Sequence, residues 1–306
     1  LAGASDEPKE SEVSPLAVSH TDSFDARFRF LFPKGANAGS CLHYMFEHLD
    51  FQTDVVAQQE LLKEALIKFG LLDTVKNIVK PFEAEWLLQN GTRSKEELAL
   101  DNALLLLSNW LQDVLNCDIN DSQTPAWQLS MLTPEYRLDE MEFYFDVKQI
   151  KSPVISNALH LSGFKNVNYN NSLLSGDGLK GLIKGYIDLT CFINGKYYIL
   201  DYKSNFVGDQ IADYSVENLA ITMSDHNYNL QLLIYSYALH TWLKARLPNY
   251  DYEQHFGGGV YLFLRGMTSP DTKHDENTTG VITHKVPLQA LEYLENALAN
   301  DVSVEA

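Results

Sequence analysis

The chain is short of cysteine, of basic charge and of long apolar runs. Its 306 residues hold only three cysteines, Cys41, Cys117 and Cys191. An odd, scattered set of thiols suits a reducing cytoplasm better than a disulfide scaffold and cannot supply the four ligands of an iron–sulfur cluster. Lysine and arginine number 23 against 41 acidic residues, a net charge of −18. That deficit argues against gripping nucleic acid by a broad basic face, but not against an enzyme that meets nucleic acid through metal ions. No apolar run approaches the roughly 18 residues of a membrane span, and the first residues lack the basic-then-apolar pattern of a secretory signal. No G-x-x-x-x-G-K-[ST] loop occurs, so no ATP site of the P-loop kind is expected.

What is present describes a folded protein. Hydrophobic residues make up 45% of the chain, with 16 Tyr and 15 Phe, enough for a sizeable core. The chain begins with Leu1, from which we expect a portion of a longer polypeptide. Residues 1–24 open with a small, polar, acidic stretch containing Pro8 and Pro15 and read as a linker. Residues 25–306 read as one domain, mainly helical over 25–135 and sheet-containing over 136–300.

In the helical part, Leu42, Met45, Phe46 and Leu49 recur at helical spacing, with His43 and Glu47 one turn apart on the polar face. Further helices are predicted over 54–69, 81–89 and 95–116, the last opened by a capping box of Ser94 and Glu97. Strict alternation over 139–147 predicts a half-buried strand. Met141, Phe143, Phe145 and Val147 line one face, and Glu140 and Glu142 share the other. A short helix over 153–160 and a polar loop to 178 follow. Two strands joined by Asn194-Gly195 come next, a strong hairpin signal. Helices near 214–223 and 227–246 and a strand over 257–265 complete an α/β domain with a small, largely antiparallel sheet. The Gly257-Gly258-Gly259 run predicts a bend or a close backbone approach. Arg265, after that strand, is a candidate phosphate contact.

The two-residue turn fixes a register. If Ile193 faces Lys196, Asp188 faces Asp201. Directly opposed residues have Cβ atoms ~4.5–5.5 Å apart, where like charges repel. Lys203 shares the strand face of Asp201. Two explanations fit this arrangement: a divalent cation bound by both carboxylates, as hard oxygen donors suit Mg²⁺, or a solvated acidic pair offset by the lysine.

Ile187-Asp188 followed, after twelve intervening residues, by Asp201-Tyr202-Lys203 resembles the signature of the PD-(D/E)XK nucleases. Glu142 is similar to the acidic residue that many members place on a preceding strand. Gly39-Ser-Cys-Leu-His43 resembles the Gly-x-x-x-His pattern of the RecB-like branch, and Gln231 with Tyr235 its Gln-x-x-x-Tyr motif. Segments 200–209 and 250–266 resemble the C-terminal nuclease domain of RecB-type helicase–nuclease subunits. The likeness covers roughly residues 25–300.

The resemblance implies a restriction-endonuclease-like α/β core and Mg²⁺-dependent hydrolysis of DNA phosphodiesters, with Mn²⁺ able to substitute and Ca²⁺ able to bind. It implies His43, Asp188 and Asp201 as metal ligands, and Asp188, Asp201, Lys203 and Glu142 as the catalytic set. Gln231 and Tyr235 would support the site or touch DNA. It further implies a bacterial, cytoplasmic parent chain whose ATP-driven helicase precedes the nuclease, and RecC and RecD as partner subunits. RecA would be a further partner, with work in the degradation of DNA ends, double-strand-break repair and recombination. Two other readings stand beside it. One is a protein-interaction module that docks RecA or a subunit through its acidic surface; the other is a stand-alone RecB-like exonuclease.

Overall fold

The fold is described by a computed structural model for residues 24–79, 94–121, 123–164, 179–270 and 279–300. Five helices come first: α1 (Phe24–Leu31), α2 (Ala36–His48), α3 (Gln59–Lys68), α4 (Leu72–Val79) and α5 (Lys95–Leu115). Strand β1 (Arg137–Ile150) and helix α6 (Ser152–Leu161) follow, then β2 (Leu179–Ile193) and β3 (Lys196–Lys203). Next come α7 (Val216–Asp225), α8 (Tyr228–Arg246), the single turn α9 (Tyr252–His255), β4 (Phe256–Phe263), β5 (Val281–His284) and α10 (Leu288–Asn300).

The five strands form one mixed sheet in the order β1-β2-β3-β4-β5. Every neighbouring pair is antiparallel except β3 and β4, and α7 and α8 supply the long crossover that a parallel pair needs. This mixed α/β architecture, with helices on both faces, is the one expected of a restriction-endonuclease-like core.

Period-two alternation along β3 sends its residues into two layers. Tyr198, Leu200 and Tyr202 pack with the core of α1 to α5, while Ile199 packs with the core of α6, α7, α8 and α10. Each core is built from apolar stripes that single helices cannot bury alone. In α5 the cap forms as its sequence predicts: Ser94 Oγ accepts the Glu97 N–H at 3.3 Å, and the Glu97 carboxylate accepts the Ser94 N–H at 3.1 Å. The β2–β3 turn also follows its sequence, with Asn194 and Gly195 both at positive φ (52° and 79°) as a type I′ turn requires.

The glycine run at the start of β4 serves close approach. A Cβ on Gly257 would meet the Tyr198 ring at 2.3 Å, and one on Gly259 would meet Leu232 at 2.1 Å.

Arg265 overturns its sequence reading. It is fully buried and donates to four backbone carbonyls: Ser204 at 3.0 Å, Arg29 at 2.5 Å, Phe32 at 3.0 Å and Pro33 at 2.7 Å. A guanidinium spent on these acceptors welds the α1–α2 connection to the segment after β3 and has no surface to offer a phosphate. Burial pulls its pKa down to about 10.

The 54–69 helix starts as a 3₁₀ turn over Val55–Gln58, and the helix expected over 81–89 lies outside the described residues. Strand β5 and helices α1, α4, α9 and α10 have no counterpart in the sequence reading. No helix among the described residues is long and apolar enough to cross a membrane.

Candidate active site

The ladder between β2 and β3 follows the predicted register from Ile193↔Lys196 to Leu189↔Leu200 and ends there, one pair short of Asp188 and Asp201. Beyond that point β2 stays with β1 and β3 stays with β4. The sheet therefore forks where the two aspartates would have met. Instead of facing Asp201 across a regular pair, Asp188 turns its Oδ2 to accept the backbone N–H of Tyr202 at 2.8 Å.

Helix α2 delivers His43 to the fork. Leu42, Met45 and Phe46 bury one stripe of the helix, and the Phe46 ring stacks on Tyr202, centroids 4.6 Å apart. That contact fixes the helix over β3 and sets His43 Nε2 2.8 Å from the Tyr202 carbonyl oxygen. A carbonyl only accepts, so Nε2 carries the proton and the Nδ1 lone pair is left facing Asp188 Oδ2 at 3.5 Å. Burial holds the imidazole pKa below its usual value, with Asp201 opposing, so the neutral form is favoured.

The third member is Glu140. The pairs Asp139↔Leu189 and Met141↔Ile187 bracket Glu140 and Asp188. Glu140 itself adopts a left-handed backbone, φ 50°, uncommon for a residue with a Cβ and a local break in the alternation of β1. Donor atoms of His43, Glu140 and Asp188 all lie within 4.8 Å of one another.

Glu142, chosen from the sequence, is not brought to this group. Its carboxylate pairs with Lys184 and accepts from the Tyr186 hydroxyl on the exposed side of the β1–β2 ribbon, and those contacts hold its pKa low. Two glutamates on one strand face were indistinguishable by spacing. The signal that separates them is a backbone dihedral, which the sequence does not display.

Asp201 and Lys203 stand beside the group on the α8 side. Asp201 is 1% exposed and its Oδ1 lies 2.5 Å from Lys203 Nζ. The buried Oδ1 thus has the Lys203 ammonium as its partner. Lys203 Nζ also donates to Gln231 Oε1 at 3.0 Å, and Gln231 Nε2 donates to the Tyr235 hydroxyl at 3.0 Å. The Gln231–Tyr235 pair, one turn apart on α8, thus reaches the lysine.

The electrostatics of the cluster call for positive charge. Burial, then the charge of Asp201, pushes the Asp188 carboxyl well above the ordinary carboxylate range. Glu140 is exposed, and partial desolvation, with the charges of Glu47, Asp139 and Asp201, raises its carboxyl. The imidazole nitrogen of His43 and the carboxylate oxygens of Glu140 and Asp188 form a donor set that fits a hard divalent cation and would relieve this repulsion, with the Asp201 carboxylate alongside, ion-paired to Lys203.

No family model matches the chain. It is similar to the RecBCD enzyme subunit RecB of Escherichia coli K12, 31% identical over 277 residues, which is 90% of this chain and 20% of that protein. It is similar also to RecBCD enzyme subunit RecB of Haemophilus influenzae, 32% identical over 242 residues, or 77% of this chain and 16% of the other. The RecB subunit of Mycobacterium tuberculosis H37Rv matches at 36% over 127 residues, 41% of this chain and 12% of its own. The chain therefore spans about a fifth or less of the curated relatives it matches.

Proposed function

We propose that this chain, which belongs to the RecB family, is a nuclease module that hydrolyses DNA phosphodiester bonds with Mg²⁺. The observation that carries the reading is the clustering of His43, Glu140 and Asp188 donor atoms at one fork in the sheet, with Asp201 and Lys203 alongside.

His43, Glu140, Asp188 and Asp201 would hold the cation. When bound, it supplies Lewis-acid charge to the phosphoryl group and makes water more acidic. The chain's own residues do the rest. The Tyr202 backbone holds two of the donors at once, its N–H on Asp188 and its carbonyl on His43, so both are oriented before substrate arrives. Lys203, anchored by Gln231, places an ammonium where charge develops on the phosphoryl oxygens and where the attacking water must be aligned. Tyr235 steadies Gln231 in that role.

With so acidic a surface the chain would bind DNA weakly by itself, and single-stranded or frayed ends would suit a module without a motor. Within a longer RecB-type polypeptide it would act beside RecC and RecD in the bacterial cytoplasm, in end degradation and recombinational repair. The direct experiment is incubation of end-labelled single- and double-stranded DNA with the purified chain in Mg²⁺ and in chelator. Cleavage in Mg²⁺ alone supports the reading, and its absence with both substrates defeats it.

A further inference from the structure

Lys203 has partners that the catalytic reading does not use. Its Nζ lies 3.9 Å from the centroid of the Tyr228 ring and 5.2 Å from that of Tyr261. Tyr228 opens α8 directly after Asn227, whose left-handed backbone (φ 58°) turns the chain into the helix. Two hydroxyls fix this first turn. The Tyr261 hydroxyl lies 3.1 Å from both the Tyr228 carbonyl and Gln231 Oε1, and the Tyr228 hydroxyl donates to Asn205 Oδ1 at 3.1 Å. Tyr261 is fully buried on β4, in parallel register with Asp201. The ring beneath the ammonium is therefore held by β4 on one side and by the segment after β3 on the other.

We propose that Tyr228 is a positioning residue for Lys203, seating the ammonium by a cation–π contact that Tyr261 locks in place. The inference rests on the nuclease reading of this site. The ion pair with Asp201 is the only carboxylate contact of Lys203 Nζ among the described residues. If Asp201 turns its charge to a cation, a flexible four-carbon side chain loses its anchor and regains its rotamer freedom. A ring face and an amide oxygen are neutral partners that a cation attracts less strongly than a carboxylate. Such a contact stabilises an ammonium more the further it is desolvated, and Lys203 is 9% exposed.

The test uses Tyr228→Leu and Tyr228→Phe. Phenylalanine keeps the ring and loses only the bond to Asn205; leucine keeps bulk and loses the ring. Two readouts apply. In nuclear magnetic resonance of the metal-free protein, ring current should shift the Lys203 Cε protons upfield in wild type and Tyr228→Phe, with that shift lost in Tyr228→Leu. In cleavage assays, Tyr228→Leu should lower kcat about tenfold with KM within twofold, and Tyr228→Phe should restore most of the rate. Equal losses in the two variants, or an unshifted Lys203 methylene in wild type, would overturn the proposal. Lys203→Met separates the two levels of argument. If it cleaves as fast as wild type, the nuclease reading of Lys203 fails and this inference with it. If it is impaired while Tyr228→Leu cleaves normally, the inference alone fails.

Discussion

Asp188 Oδ2 accepts the backbone N–H of Tyr202 at 2.8 Å at the point where regular pairing would have set Asp188 against Asp201. Opening the sheet there moves one carboxylate out of direct opposition while leaving both near a common centre. The repulsion is reduced, not removed: burial and Asp201 still hold the Asp188 carboxyl well above its ordinary value.

That shift sets the sign of a stability effect. A carboxyl raised in the folded state holds its proton after the unfolded chain has lost it, so stability falls as pH rises between the two values. At neutral pH, without divalent cations, the raised Asp188 carboxyl costs stability. Asp188→Asn does not titrate and keeps an oxygen for the Tyr202 N–H, so it should melt higher than wild type at pH 7. The gain should shrink toward about pH 4, near the unfolded carboxyl value. Adding Mg²⁺ or Mn²⁺ should raise the wild-type melting temperature more than that of the variant. A variant that melts lower at pH 7, or a gap that does not change with pH, would contradict the assignment.

His43 gives the opposite titration. Burial holds its pKa down, so the imidazole is neutral through the physiological range and is lost as a donor only when pH falls. Calorimetric titration with Mn²⁺ should show affinity declining on acidification, and His43→Ala should weaken binding while the circular dichroism of the chain is unchanged. Wild-type affinity in the variant would make His43 a packing residue only.

The two glutamates of β1 separate cleanly. Glu140→Gln should lower divalent-cation affinity and cleavage by tenfold or more, a loss on the order of that seen when groups around a metal centre are removed. Glu142→Gln, on an exposed carboxylate paired with Lys184 and Tyr186, should leave both within about twofold. The reverse ranking would return the site to the arrangement read from the sequence.

Arg265 should matter for stability instead of chemistry. Arg265→Met strips donors from four carbonyls, three of them more than 200 residues earlier in the chain, and should cost at least about 3 kcal/mol in urea unfolding. A change under about 1 kcal/mol would show that these carbonyls find other donors.

The pattern of what was legible follows from range. The Asn194-Gly195 turn and the Ser94–Glu97 cap are decided by residues adjacent in sequence, and both form as written. Asp188, Asp201 and Lys203 were placed near one another by turn geometry alone, and the structure keeps them there while ending the ladder one pair early. The choice between Glu140 and Glu142 turned on a left-handed φ within an apparently regular strand. Arg265 and Tyr228 act through partners distant in sequence, where no spacing rule reaches. Strand β5, four residues long, is too short for alternation to declare itself.

The central claim is that this fork is a divalent-metal nuclease centre, and single-turnover cleavage by Asp201→Asn beside wild type tests it most directly. With end-labelled single-stranded DNA and saturating Mg²⁺, wild type should cleave, chelator should abolish cleavage, and ATP should change nothing. Asp201→Asn should be slower by about a hundredfold or more, since a lost ligand and a lysine without its counter-ion act on the same step. Cleavage by Asp201→Asn at the wild-type rate, or wild-type cleavage undiminished by chelator, would contradict the account.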